Sequence, residues 1–141
     1  AGLPNVFFED RIPYATLPAR IHRADILLGV FGTTLKAGRV IANKVFQALA
    51  AGRPVITRTS DAYPKEASES GALAFVSPGN PQALATKVAE WASQSETLAF
   101  RNHAARELYE THFSSVLIRR QLTESLSSFS ASDDARAPLG S

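Results

Sequence analysis

The segment Asp25–Thr57, DILLGVFGTTLKAGRVIANKVFQALAAGRPVIT, constrains the fold more than any other part of the chain. Its first stretch, Asp25–Val30, has the unbroken apolar character of a parallel strand buried on both faces. Phe31-Gly32-Thr33-Thr34 interrupts that run, and a helical pattern over Arg39–Ala51 follows. Gly52 stands where a left-handed residue ends a helix, and Pro54 opens a second apolar run, Val55–Thr57. Strand, turn, helix, glycine stop and strand make a βαβ unit, which implies a parallel α/β sheet. In such a unit the helix N-terminus lies at the carboxyl edge of the sheet. Its unpaired N–H groups attract phosphate there.

The flanking sequence extends the same alternation. Asn5–Phe8 reads as a strand, and Ile12-Pro13-Tyr14 leads into a short helix ending near Arg23, with Leu17 and Ile21 on its buried side. Beyond Thr57, Pro64 opens a short helix that Gly71 closes, and Ala72–Val76 is the next apolar run. Ser77-Pro78-Gly79-Asn80 is a turn in which Asn80 caps a helix with Pro81 at its first position. That helix, Pro81–Ser93, puts Leu84, Val88 and Trp91 on one face, which makes Trp91 a core residue. Two further helical patterns cover Glu96–His112 and Ser115–Phe129. The expectation is a Rossmann-like unit over residues 1–129, with the terminal helices as an extension. Residues 130–141, small and polar, read as a disordered tail.

Within the Arg39–Ala51 pattern, Ile41, Val45 and Leu49 recur every four residues, with Phe46 beside them, and pack on the sheet. Arg39, Asn43 and Gln47 form a second i, i+4, i+8 stripe flanked by Lys44. By periodicity alone a polar stripe is a solvated helix face. Cations at a helix N-terminus, however, oppose its dipole at a cost of about 0.3–1 kcal/mol each. A bound anion removes that conflict, and two cations with two amides suit a diphosphate and sugar hydroxyls.

Composition excludes several classes. The chain has 141 residues, enough for one core, and no cysteine, which rules out disulfides, thiol catalysis and cysteine-ligated zinc. A formal net charge of +2 without a Lys/Arg cluster does not point to nucleic acid. No apolar run reaches the roughly 18 residues of a membrane span, and the N-terminus has no signal-peptide pattern, so a cytoplasmic location is expected. Arg119-Arg120 leave a peripheral contact with an anionic membrane or another domain open, but two charges do not establish one. His22, His103 and His112 are scattered and read as surface or helix-end residues rather than metal ligands. With no Met anywhere, the chain reads as a piece of something longer.

Asn5-Val6-Phe7-Phe8, Ile12-Pro13-Tyr14, Leu17-Pro18 and Ala24-Asp25 follow one another as in a known strand–turn–helix sequence. Gln47-Ala48-Leu49-Ala50-Ala51-Gly52-Arg53-Pro54-Val55-Ile56 and Ala74-Phe75-Val76-Ser77-Pro78-Gly79-Asn80-Pro81 continue it, and Tyr109, Phe113 and Ser114 end it. In this order and spacing the chain resembles the C-terminal, donor-binding part of group 1 glycosyltransferases of the two-Rossmann-domain (GT-B) architecture, from about Asn5 to Leu122.

The resemblance implies an enzyme part that moves a hexose-type sugar from a nucleotide diphosphate sugar to an acceptor, as in polysaccharide biosynthesis. The nucleotide sugar is then the donor substrate, and no separate cofactor is called for. Phe31, Gly32 and Thr33 occupy the loop that faces the donor in the resembling enzymes. Two glutamates of that family, on the donor sugar and the ribose, are replaced here by Arg39 and Gln47. Gln47 keeps hydrogen-bonding capacity for ribose hydroxyls, whereas Arg39 cannot accept and turns to the diphosphate. Lys44 is the phosphate partner, with Asn43 beside it, and Glu66 corresponds to an acidic residue on the donor side. The departing diphosphate is then stabilised by the helix start and these cations without calling on a metal.

The resemblance also implies partners. Two preceding βα units and a separate N-terminal domain would supply the central strands, the acceptor site and the catalytic base. Without them the piece is expected to be marginal, to self-associate or to pair its strands differently. A non-catalytic phospholigand- or protein-binding module, and a nucleotide-sugar epimerase of the same architecture, are the alternative readings.

Overall fold

The computed structural model describes residues 2–134. Strands β1 (Leu27–Leu28), β2 (Val55–Arg58) and β3 (Leu73–Val76) form one parallel sheet in the order β1-β2-β3. Leu27 stands opposite Val55, and Val55 opposite Leu73. Helix α1 (Leu17–Arg23) precedes β1, α2 (Asn43–Ala50) joins β1 to β2, and α3 (Lys65–Glu69) joins β2 to β3. Helices α4 (Pro81–Ser93), α5 (Leu98–Leu108) and α6 (Ser115–Asp134) follow, with a π turn at Tyr109–Phe113 between the last two.

Strand alternation sorts the core onto the two faces of the sheet. Leu27, Val55, Leu73 and Phe75 pack with Val45, Ala48 and Leu49 of α2, Ala67 of α3, and Ala104, Ala105 and Leu108 of α5. Ile26, Ile56, Ala74 and Val76 pack on the other face with Leu84, Val88 and Trp91 of α4. A fully buried side chain such as Ile56 or Leu49 stabilises the fold by about 1.5–3 kcal/mol. The π turn brings Tyr109 and Phe113 onto the first face, where Phe113 meets Phe46 edge-on at 5.2 Å. This is the Rossmann-like α/β layering expected from the βαβ pattern.

The local stop and start signals act as read. Gly52 and Gly71 adopt φ of +67° and +77°. Asn80 caps α4 by accepting the Ala83 N–H at 3.0 Å, with Pro81 at the first helical position.

Four expectations change. Asn5–Phe8 is not a strand; Pro4-Asn5 is a turn, and Phe7 and Phe8 are 83% and 96% exposed. A strand exists only through a neighbour's hydrogen bonds, and no described strand lies beside this segment. The Asp25–Val30 strand shortens to Leu27–Leu28. The helix expected from Arg39 begins at Asn43, because Lys36–Gly38 closes a 3-10 turn and Ala42 is extended with ψ of 142°. Val40 and Ile41, both β-branched, do not favour the helix, and contacts to β2 draw the preceding loop away from it. Finally, α6 continues to Asp134, so residues 130–134 are helical where a disordered tail was expected; residues 135–141 lie outside the described residues.

Candidate functional site

Strand β1 ends at a close approach to β2. Thr57, fully buried, sends Oγ1 between the strands, where it accepts the Val30 N–H at 3.2 Å and lies 3.3 Å from the Val30 carbonyl as donor. Gly29 makes this fit: a Cβ there would stand 2.4 Å from Thr57 Oγ1 and 2.6 Å from Thr57 Cβ. The β1 exit is therefore set by one glycine–threonine contact across the sheet. Tyr63, also in contact with Thr57 and packed edge-on at 4.9 Å against Phe75, covers this point. Burial pushes its hydroxyl above the ordinary value of 10.0, and the hydrogen bond with Thr57 acts in the opposite direction.

From Val30 the chain enters the loop that contains Phe31, Gly32 and Thr33, and the ends of β2 and β3 hold it from two sides. Arg58, at the end of β2, donates to the Gly32 carbonyl at 2.5 Å, the Thr34 carbonyl at 3.4 Å and the Thr59 carbonyl at 3.0 Å. Gly38 packs on the guanidinium; a Cβ there would lie 2.9 Å from Arg58 Nη2. Ser60 donates to the Gly38 carbonyl at 2.7 Å. After β3, Gly79 donates its N–H to the Phe31 carbonyl at 3.0 Å; its φ is +66°, and an added Cβ would stand 2.7 Å from Thr33 Cγ2. Thr34 Oγ1 accepts the Ala37 N–H at 3.2 Å and steadies the 3-10 turn.

Helix α2 opens beside this loop, with no side chain capping its first turn. Lys44, in that turn, reaches back so that Nζ donates to the Gly29 carbonyl at 3.2 Å. An ammonium carries three donors, so one carbonyl leaves two N–H directions for another acceptor. Among the described residues Lys36, Arg39, Lys44 and Arg58 have no carboxylate within ion-pair distance, whereas Arg20, Lys87, Arg106 and Arg120 each have one. At the carboxyl edge of the sheet Lys44 and Arg58 are thus answered by backbone carbonyls.

The expected site residues divide in two. Phe31, Gly32, Thr33, Arg39, Asn43 and Lys44 lie on the loop and helix start just described. Arg39, however, follows the 3-10 turn instead of heading α2, so it does not share a helix stripe with Asn43 and Gln47. Gln47, one turn further along α2, faces a groove with Tyr14, Leu17 and Ile21 on the α1 side. Glu66, in the first turn of α3, lies in a groove with Glu107 and His112. A cavity of about 480 Å³ lies at the amino end of the sheet between Arg23, Asp25, Trp91 and Arg101, and the loop residues do not line it. Arg58 is the residue that sequence reasoning missed. Its only signal was position, between Thr57 and Thr59 at the end of an apolar run.

Parallel strands covered by helices on both faces, with a helix opening at their carboxyl edge, make this a Rossmann-like α/β protein. The family model of group 1 glycosyl transferases matches residues 1–94, more than half of the chain, and the chain belongs to that family. No curated protein and no solved structure matches it. Family membership makes glycosyl transfer the class of reaction to which this chain is tied. No helix among the described residues is long and apolar enough to cross a membrane.

Proposed function

We propose that this chain is the donor-binding part of a glycosyltransferase that uses a nucleotide diphosphate sugar and passes a hexose-type sugar to an acceptor held by another domain. The observation that carries the reading is Lys44. It stands in the uncapped first turn of α2, over the exit of β1, with a backbone carbonyl as its partner and, among the described residues, no carboxylate within ion-pair distance. A diphosphate docked there accepts from the free donors of Lys44 and from the first amides of α2, and Arg39 in the adjoining loop adds charge. As the glycosidic bond breaks, negative charge grows on the diphosphate. Donors already fixed in place stabilise it without reorganising. Phe31, Gly32 and Thr33 line the same edge, and Asn43 offers an amide. Gln47 and Glu66 lie on other surfaces and carry less of the proposal.

One observation favours a second reading, a phospholigand-binding module without transfer. Neither Arg39 nor Gln47 is a carboxylate, so the donor sugar lacks the acidic contacts of the resembling enzymes. Titrating uridine, adenosine and guanosine diphosphates into the full protein and its Lys44→Ala variant, with sugar transfer measured alongside, tests both. Loss of about 1.5–3 kcal/mol of binding, the worth of a hydrogen bond to a charged group, together with loss of transfer supports the enzyme. Loss of binding in a protein that transfers nothing supports the module, and unchanged binding removes Lys44 from the site.

A further inference from the structure

We infer that Arg58 is the positioning residue of the donor loop, and that the shape it imposes on Phe31–Gly38 sets the affinity of the edge for a nucleoside diphosphate. The second half of this inference rests on the donor-binding reading; the first half does not.

A guanidinium can do what other side chains cannot. It presents several N–H donors in one rigid plane, so a single group can bind carbonyls that belong to different turns of a loop. Arg58 spends Nη1 on Gly32 and Thr34 and Nε on Thr59, while the glycine at 38 lets the backbone settle on Nη2. Its own Cα is held in the ladder, opposite Val76, and its N–H donates to the Val30 carbonyl at 3.0 Å. The clamp is therefore anchored in the sheet and reaches outward. Ser60, two residues on, holds the far end of the loop through Gly38.

No carboxylate pairs with Arg58 among the described residues, so its charge stays available to the edge it shapes. The carbonyls it gathers belong to the loop that connects β1 to the 3-10 turn ahead of α2. Occupying those carbonyls has an electrostatic effect as well. Left bare, the Gly32 and Thr34 oxygens would present negative potential to an incoming diphosphate. Bound to a cation, they do not. Arg58 thus acts through the loop, both by holding its shape and by masking its acceptors.

The test uses hydrogen–deuterium exchange and uridine diphosphate titration on the full protein with Arg58→Gln and Arg58→Lys. In Arg58→Gln, exchange at the backbone amides of residues 32–38 rises at least tenfold, while amides of residues 73–76 in β3 keep their protection. The dissociation constant for the diphosphate rises at least tenfold. Arg58→Lys keeps the charge but lacks the planar fork, so it recovers the salt dependence of binding and leaves loop exchange high. Unchanged exchange at residues 32–38, or an equal rise in β3, overturns the positioning role. Raised loop exchange with undiminished diphosphate affinity overturns the link to binding. If the unaltered protein binds no nucleoside diphosphate at all, the donor reading fails, and the exchange data alone decide whether Arg58 holds the loop.

Discussion

Substituting Gly29→Ala puts a methyl group where the sheet has no space for it. The added Cβ would sit 2.4 Å from Thr57 Oγ1, 2.6 Å from Thr57 Cβ and 3.4 Å from Thr57 Cα. Thr57 is 0% exposed and β-branched, so it cannot swing aside as a long flexible chain would. Relief must come from separating β1 from β2. Overpacking of this kind costs about 1–3 kcal/mol. Separation also weakens the two contacts between Thr57 Oγ1 and Val30, each worth about 0.5–1.5 kcal/mol net. The sum, about 2–6 kcal/mol, is a large share of the ~5–15 kcal/mol typical of a domain. Urea unfolding followed by circular dichroism measures it as a fall in midpoint at constant slope. Thr57→Ala should relieve the closest contact only, since Cβ remains. In that background Gly29→Ala is therefore about 1 kcal/mol milder, a coupling that a double-mutant cycle reads directly. A Gly29→Ala variant within about 0.5 kcal/mol of the parent, the usual range for an innocuous change, would refute the close-approach argument.

Two further outcomes follow from single residues. Tyr63 has a raised folded-state pKa, so its protonated form is the one the fold prefers. Its contribution is complete below the unfolded value and is lost as pH rises through the folded one, which places the loss above pH 10.0. Melting temperatures of the parent should therefore drop more steeply between neutral and strongly alkaline pH than those of Tyr63→Phe; parallel curves would show that Tyr63 is not the group responsible. Asn80→Ala removes the cap of α4 and should cost about 0.5–2 kcal/mol, seen by chemical denaturation, with Asn80→Asp close to the parent. An alanine variant as stable as the aspartate one would show that the cap contributes little.

The cation-rich edge ties these outcomes to function. Gly29 and Thr57 set where β1 ends, and Lys44 reaches the Gly29 carbonyl from α2. A shift of β1 moves the acceptor of Lys44, so under the proposed donor-binding function Gly29→Ala lowers diphosphate affinity as well as stability. Gly79, from the third strand's turn, holds Phe31 from the other side. The loop is thus built by residues far apart in the chain, each anchored in regular structure.

Much of the fold was legible in the chain because its signals are local. Gly52 and Gly71 turn in the left-handed region, Asn80 and Pro81 start α4, and the apolar run Val55–Thr57 becomes the central strand. Trp91 packs with Leu84 and Val88 as its helical spacing implies. These features depend on φ preferences, caps and periodicity that a few neighbouring residues settle among themselves. Tertiary structure decided the rest. Whether Asn5–Phe8 becomes a strand depends on a neighbour, and where α2 begins depends on Arg58 and Ser60 holding Gly32, Thr34 and Gly38 at the end of β2. Arg58 itself carries no local mark of its role. Its meaning comes from carbonyls 24 and 26 positions away along the chain, brought within reach only when β2 lies beside β1. Backbone conformation can be read from near neighbours, but a hydrogen bond across the sheet exists only after the sheet has formed.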